Sequence, residues 1–314
     1  SAKSRILGET FMAMATDESR EETTPIHDYG EADGWLTRTS KVSKVIFLLI
    51  HLSSLLVLLV GAPTQALILC AATYAIRVFG ITGVYHRYFA HKTYKTSRAF
   101  QFVLAFIATA ATQKGPLWWA ATHRRHHRYS DLPGDVHSPK DGFWYSHIGW
   151  IFDGRWKGTA LDLIPDFAKY TEIRWLNNQH WVPPLSLAVL CYSIGGLAGL
   201  VWGFSISTTL LWHSTFSVNS LCHIWGSRRY GTTDTSRNNW LVAILTFGEG
   251  WHNNHHHYMS SARMGFKWWE YDVTYYILRL LAILGLVWDL REPSEGVIHR
   301  NLLEKTESAS SSNA

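Results

Sequence analysis

The sequence predicts an all-α membrane protein: four transmembrane helices in two hairpins, with a cytosolic helical cap that carries a dimetal site. Three observations lead there. Charged residues make up only 17 % of the 314-residue chain, where about a quarter is usual. Long apolar runs come in two pairs, and many of the 16 Trp flank them, as in membrane-interface belts. The 17 His are crowded into short clusters. The same arithmetic excludes other classes. A net charge of +5 without a basic stripe offers nucleic acid no footprint. Three cysteines, Cys70, Cys191 and Cys222, build no disulfide scaffold, and 47 % hydrophobic residues exclude disorder over the whole chain.

Residues 1–34 are rich in Ser, Thr and Glu without apolar period and read as a flexible polar arm. The main domain is expected over 35–303. Its first span falls at about 44–61, interrupted only by His51, Ser53 and Ser54, and Gly61 to Thr64 punctuates it. The second, 64–85, has Arg77 as its one charge. Pro183 and Pro184 open the third, 183–202; Gly203 is the expected hinge, and the fourth is 204–222. At a rise of about 1.5 Å per residue each run can cross a bilayer, the first only just. Arg38, Lys41 and Lys44 precede the first span and Arg124, Arg125, Arg128 and Lys157 lie in the long middle segment, whereas the hairpin tips hold no Lys or Arg. The positive-inside bias therefore puts both termini and the cap, 86–182 with 223–303, in the cytoplasm. Shorter apolar runs at 99–112, 240–247 and 275–288 are expected as interfacial or packed helices. Residues 304–314 form a low-complexity tail.

Histidine carries the chemistry. His86 and His91 are followed by two H-x-x-H-H boxes, His123/His126/His127 and His252/His255/His256. At the observed histidine frequency one such box is expected by chance about 0.05 times in the chain, so two are no accident. Positions i, i+3 and i+4 of a helix fall within about 100° of one face, so each box can present three imidazoles to one site. His86 and His91 stand about 140° apart on an ideal helix. The helix bends or unwinds there, or the two rings approach different ions. His257 points away from its neighbours and is left out. Both spans that end near a cluster end on the same face, which brings His223 into reach, with Asn219 one turn before it. Eight or nine convergent imidazoles exceed one tetrahedral zinc. Two ions with four or five His each fit the count, and neutral imidazole suits Zn, Cu, Fe or Ni. Asp131, Asp135, Asp234 and Glu249 are candidates to orient these rings from behind.

These residues resemble the membrane fatty-acyl desaturase family, of the stearoyl-CoA type. The matching stretches are Gly80 to His86, His91 to Tyr94, His123 to Ser130, Gly142 to Trp150, Asn219 to His223 and Gly248 to His256, together within about 42–290. The resemblance implies a di-iron centre held by His86, His91, His123, His126, His127, His223, His252, His255 and His256, with Asn219 acting through a water. His137 and His147 lie in family-like stretches but are not ligands there, and structural hydrogen bonds are expected of them. The implied reaction is O2-dependent insertion of a cis double bond, at Δ9, into a saturated C16–C18 acyl chain. The carrier is CoA ahead of a membrane lipid. Electrons come from a separate donor: a ferredoxin, a rubredoxin or cytochrome b5. Zinc is an expected substitute for iron in a purified sample. Tyr74 and Val78, on the face of the second span that leads to His86, are expected to close the membrane end of the acyl tunnel. Ala121 and Thr122 replace an Arg-Asp pair of the animal acyl-CoA enzymes, and Asp153 and Gly154 replace a basic pair; Arg124, Arg125, Arg128, Arg155 and Lys157 are the cations that would compensate. The short polar ends favour a bacterial cell membrane over the endoplasmic reticulum. A related di-iron hydroxylase is the alternative, with an alcohol as product. A metal transporter is disfavoured, since its ligands would lie at mid-membrane and not beyond the span ends.

Overall fold

The computed structural model describes residues 34–303, and the expected arm and tail fall outside the described residues. Three helical stretches within it are long and apolar enough to cross a membrane: Ser43–Val60, Thr64–Ala90 and Val182–Ile224. The first comprises α1 (Gly34–Ser54) and the short α2 (Val57–Val60), closed by Gly61 at φ 63°. The second is α3 (Thr64–Phe79), which continues into an eleven-residue π-helical segment, Gly80–Ala90. It therefore outruns the expected end at 85 and carries His86 on its last turns. Beyond it come α4 (Arg98–Thr109), α5 (Pro116–Tyr129) and α6 (Phe143–His147).

The third stretch turns back on itself within α7 (Val182–Leu200). Gly195 (φ −133°) and Gly196 (φ 56°, ψ −145°) break the helix. This corrects the hinge expected at Gly203. The Gly196 conformation is essentially closed to residues with a Cβ. Gly203 lies inside the returning limb, which runs through a second π-helical segment, Val201–Ile206, into α8 (Ser207–Ile224). A Cβ on Gly199 would overlap the Cys191 carbonyl, so the two limbs touch backbone to backbone. The limbs are 182–194 and 197–224 in place of 183–202 and 204–222. At about 1.5 Å per residue the first limb is roughly 20 Å long, short of a hydrocarbon core of about 30 Å.

α1 is joined to the returning limb by a polar seam: His51 with His213 at 3.0 Å, Ser53 with Ser205 at 2.9 Å and Ser54 with Thr209 at 3.2 Å. The main apolar core surrounds the first π-helical segment, where Val84, Tyr85 and Phe89 pack with Leu104, Ala105 and Ala108 of α4 and Leu117 and Ala120 of α5. Further on come α9 (Trp240–Leu245), α10 (His252–His257) and α11 (Val273–Ile283), and a short last helix, Glu295–His299, follows them. The three short apolar runs are thus helices, as expected, and none is long enough to span. One departure from all-α structure is a two-stranded antiparallel pair, Lys95–Thr96 with Val287–Trp288.

The reversal makes a prediction. Gly196→Ala, forced into a glycine-only conformation, should cost about 1–3 kcal/mol and lower the unfolding temperature in detergent. Gly199→Val should be more damaging still. Gly158→Ala, where a Cβ meets nothing within 4 Å, should leave the temperature unchanged.

Candidate metal centre

Four elements bring the histidines together. The first is the π-helical segment, in which the His91 N–H donates to the His86 carbonyl at 3.2 Å. That i→i+5 bond is what defines a π-helix, and it stacks residue i+5 over residue i. The ring centroids are 4.9 Å apart. The widened helix therefore resolves the 140° problem: both rings enter one cluster. α5 supplies the second group. Pro116 is pre-set for a first helical turn, and the Asn177 side chain accepts from the Trp118 N–H at 2.9 Å. α8 brings His223, and α10 the last box.

Imidazole nitrogens of His86, His91, His123, His127 and His255 lie within 4.8 Å of one another, and so do those of His126, His223, His252 and His256. Each box is divided between the clusters, which corrects the expectation of three rings per site. On a helix i and i+4 differ by about 40°, whereas i+3 lies about 100° from i+4. His123 and His127 therefore face one cluster and His126 the other; in α10 His252 and His256 pair, and His255 crosses over.

The nitrogen spacing fits metal ions. Facing Nε2 atoms stand 2.9–3.1 Å apart in His86/His255, His91/His123, His123/His127, His127/His255 and His223/His252. Metal–nitrogen bonds of about 2.1 Å at right angles give an edge of about 3.0 Å. The Nε2 atoms of His126 and His256 are buried without a hydrogen-bond partner. From behind, Asp135 faces His126 Nδ1 at 2.8 Å, Asp131 faces His223 Nδ1 at 3.4 Å, and Asp234 faces His256 Nδ1 at 2.5 Å. Glu249 faces His86 Nδ1. With Nδ1–H donating, each Nε2 keeps its lone pair for a metal. Arg87, fully buried, donates to Glu249 at 2.8 Å and to Asp272 at 2.9 Å, anchoring the π-helical segment.

Electrostatics agree. Burial, then neighbouring imidazoles and other cations, hold His91, His123, His127, His252 and His255 well below the ordinary histidine range. Burial pushes His256 down to about 4 against the pull of Asp234. Neutral rings are the form that binds metal. Burial alone would raise Asp131, Asp135 and Asp234, but their imidazole and N–H partners hold them below the usual carboxylate range. Burial pushes Glu249 up to about 7, opposed by Arg87.

Asn219 sits one turn before His223 in the same helix, half-buried. His257 stacks on Tyr230 at 3.8 Å, away from both clusters. His147 bonds to Ser220 and His213 at 2.9 and 3.0 Å. His137 Nδ1 has no hydrogen-bond partner, against its expected role, and the ring lies tilted 4.2 Å from that of His126.

An apolar cavity of about 570 Å³ lies beside the site, bounded by Phe47 and Ile50 of α1, Trp212 and Phe216 of α8, and Gln113 and Trp119. Its size suits a small-molecule pocket. The Trp119 ring stacks on His123 at 5.1 Å and joins cavity to cluster. Trp119 Nε1 donates to Gln113 at 3.1 Å, and Gln113 donates to Thr215 at 2.8 Å. Tyr74 and Val78 are not on this wall. The Tyr74 hydroxyl donates to Ser214 and the Leu245 carbonyl, and Val78 is core packing. Sequence reasoning missed Trp119, whose signal was its place four residues before His123. Of the compensating cations, Arg124 is held by Asp166 and Arg155 by Asp153. Lys114, which was not expected, lines the cavity with its ammonium 3.8 Å from the Trp118 ring centre.

Residues 62–285 match the family model described as "Fatty acid desaturase". An acyl-CoA C20 Delta5-desaturase of Anemone leveillei is 37 % identical over 305 residues, 95 % of this chain and 96 % of that protein. The Delta-9 acyl-lipid desaturases 2 and 1 of Arabidopsis thaliana are 41 % and 40 % identical, covering 71 % and 73 % of this chain and 73 % and 76 % of theirs. These relatives are plant proteins and lend the expected bacterial membrane no support.

Asp135→Asn and Asp234→Asn keep side-chain shape and remove the charge behind His126 and His256. Each should weaken metal binding about ten-fold or more, read as metal retained against a chelator, with helix content unchanged.

Proposed function

We propose, for a chain that belongs to the fatty acid desaturase family, that it inserts a cis double bond at Δ9 into a saturated C16–C18 acyl chain carried by CoA or by a membrane lipid. The observation that carries this reading is the meeting of nine imidazoles, five and four, against the wall of an apolar cavity. Two iron ions in these clusters would supply O2 activation and removal of hydrogen from two adjacent methylenes. The balance is one O2, two electrons and two protons per double bond, with two waters as co-products. The electrons come from a separate donor protein, a ferredoxin, a rubredoxin or cytochrome b5.

The remaining work belongs to side chains. A saturated chain has no polar mark near its middle, so the position of the cut must come from the shape of the cavity and its distance to the clusters. Trp119 sets that distance, touching the cavity on one side and His123 on the other. The bonds among Trp119, Gln113 and Thr215 hold this wall still. We assign Asn219, one turn before His223, to hold a water at the four-histidine cluster, and Lys114, on the cavity wall, to meet the polar head of the carrier.

We assign four membrane passes with both termini on the cytoplasmic side. A hairpin returns the chain to the side it left, so the polar ends of both hairpins share one face even though the limb 182–194 is short. The clusters then sit together at that face, under the cap.

Lipid mass spectrometry on a desaturase-deficient host tests the reading, with His126→Ala/His255→Ala as control. New cis-Δ9 chains should appear with the wild-type chain alone. A bond at Δ5, as the name of the Anemone relative suggests, would move the regiochemistry and keep the enzyme class. Hydroxylated chains would replace the reading with the hydroxylase. Gln113→Leu should lower turnover about ten-fold at unchanged metal content, since unpaired buried partners cost about 1–3 kcal/mol, and should spread the double bond over neighbouring positions.

A further inference from the structure

The tryptophan-rich corner beside the four-histidine cluster joins the apolar cavity, which Trp118 and Trp150 help to line, to His137, whose ring nitrogens lie close to those of His126 and to the Asp135 carboxylate. The His137 ring lies 4.2 Å from that of His126 and 5.2 Å from that of Trp150. Trp150 in turn lies parallel to Trp118, with ring centres 6.1 Å apart and planes at 3°. His137 Nδ1 and Trp150 Nε1 are both buried without a hydrogen-bond partner. Apolar side chains would fill this space without orphaned polar atoms. Buried groups left unsatisfied in this way call for an account such as redox use.

The outer end of the row is equally specific. Trp118 Nε1 donates to the Trp156 carbonyl at 2.8 Å, and Trp156 Nε1 donates to the Tyr145 phenol oxygen at 3.3 Å. Tyr145 and Trp156 pack against the Trp118/Trp150 cluster. The Tyr145 hydroxyl donates to Asp153 at 2.8 Å. A phenol that loses an electron must also lose its proton, and here the acceptor is already in place.

We infer that His137, Trp150, Trp118 and Tyr145 form a one-electron path between the four-histidine metal centre and the protein surface, used when O2 has oxidised the centre and no acyl chain stands in the cavity. The inference rests on the desaturase reading. In the step, Tyr145 would give up one electron along Trp118, Trp150 and His137, and the acceptor would be oxidised iron held by His126, His223, His252 and His256, which would be reduced by one electron. The phenolic proton moves to Asp153. An external thiol or ascorbate-type reductant later returns one electron, and the proton goes back from Asp153 to the tyrosine oxygen. The path lets the half-buried Tyr145 phenol be oxidised in place of the clustered histidines and Trp119.

The test uses the full chain loaded with iron, chemically reduced, and mixed with O2 without acyl substrate. Freeze-quenched samples are read by electron paramagnetic resonance, and digests by mass spectrometry for oxidised side chains. The wild-type chain should show a tyrosyl signal and oxidation at Tyr145 and Trp118. Tyr145→Phe should lose the tyrosyl signal and show a tryptophanyl one, with iron content and substrate-dependent desaturation unchanged. Trp150→Phe should lose both signals, and oxidation should appear at Trp119 and the histidine ligands several-fold above wild type. An oxidation pattern that is the same in Trp150→Phe and wild type overturns the path, as does an absence of oxidised rings in iron-loaded protein that makes product. Ring oxidation in a protein that makes no unsaturated chain from substrate and reductant overturns the desaturase reading alone. A preparation that binds no iron overturns both.

Discussion

A neutral imidazole has one N–H and one lone pair, and nine of them packed nitrogen to nitrogen cannot all be satisfied by one another. Buried polar groups without partners are costly, so the clusters depend on what stands behind them. Asp131, Asp135, Asp234 and Glu249 each take an Nδ1–H, which turns the matching lone pair inward. These acids are in turn held by Thr235, by the Asp131 backbone N–H, by Ser236 and by Arg87. Loosening that outer layer would release the rings, and with them the reason for the cap to close over the helix ends.

Helical geometry then distributes the rings. An ordinary helix divides each box into a pair and a single residue, and the two boxes divide in opposite senses. The result is two clusters built jointly by α5 and α10, so neither box makes a site alone. The π-helical segment is the device that adds His86 and His91 to the same cluster. Its extra residue per turn costs regular packing, and the buried Arg87 network offsets that cost. Such widened turns recur at functional sites in helices for this reason.

The membrane part contributes a cavity and little else to the clusters. Its wall is shared between α1, which meets the rest through a polar seam, and the returning limb. A featureless substrate can be measured only against such walls. Trp119 links the cavity to the histidine clusters, because one ring touches both. The chain shares its family with acyl-CoA and acyl-lipid desaturases of different bond position, so family membership by itself fixes neither bond position nor carrier.

The sequence by itself determined the class, the apolar hairpins and the identity of the clustered histidines. Composition and local spacing are enough for these: an apolar run must be buried or in lipid, and boxes repeated beyond chance need a shared role. Even the four acids behind the rings were legible, as carboxylates near histidines in a chain poor in charge. What the tertiary structure alone decided was the partition of His123, His126 and His127, the reversal at Gly195 and Gly196, and the cavity wall. Each depends on contacts between residues far apart in the chain. Gly203 and Gly196 look alike in sequence, and only the packing of Leu69 and Cys191 against Gly203 distinguishes a close approach from a turn. Tyr74 and Val78 lay on a plausible helix face, but a face does not reveal its neighbour, and theirs proved to be α8, α9 and the core.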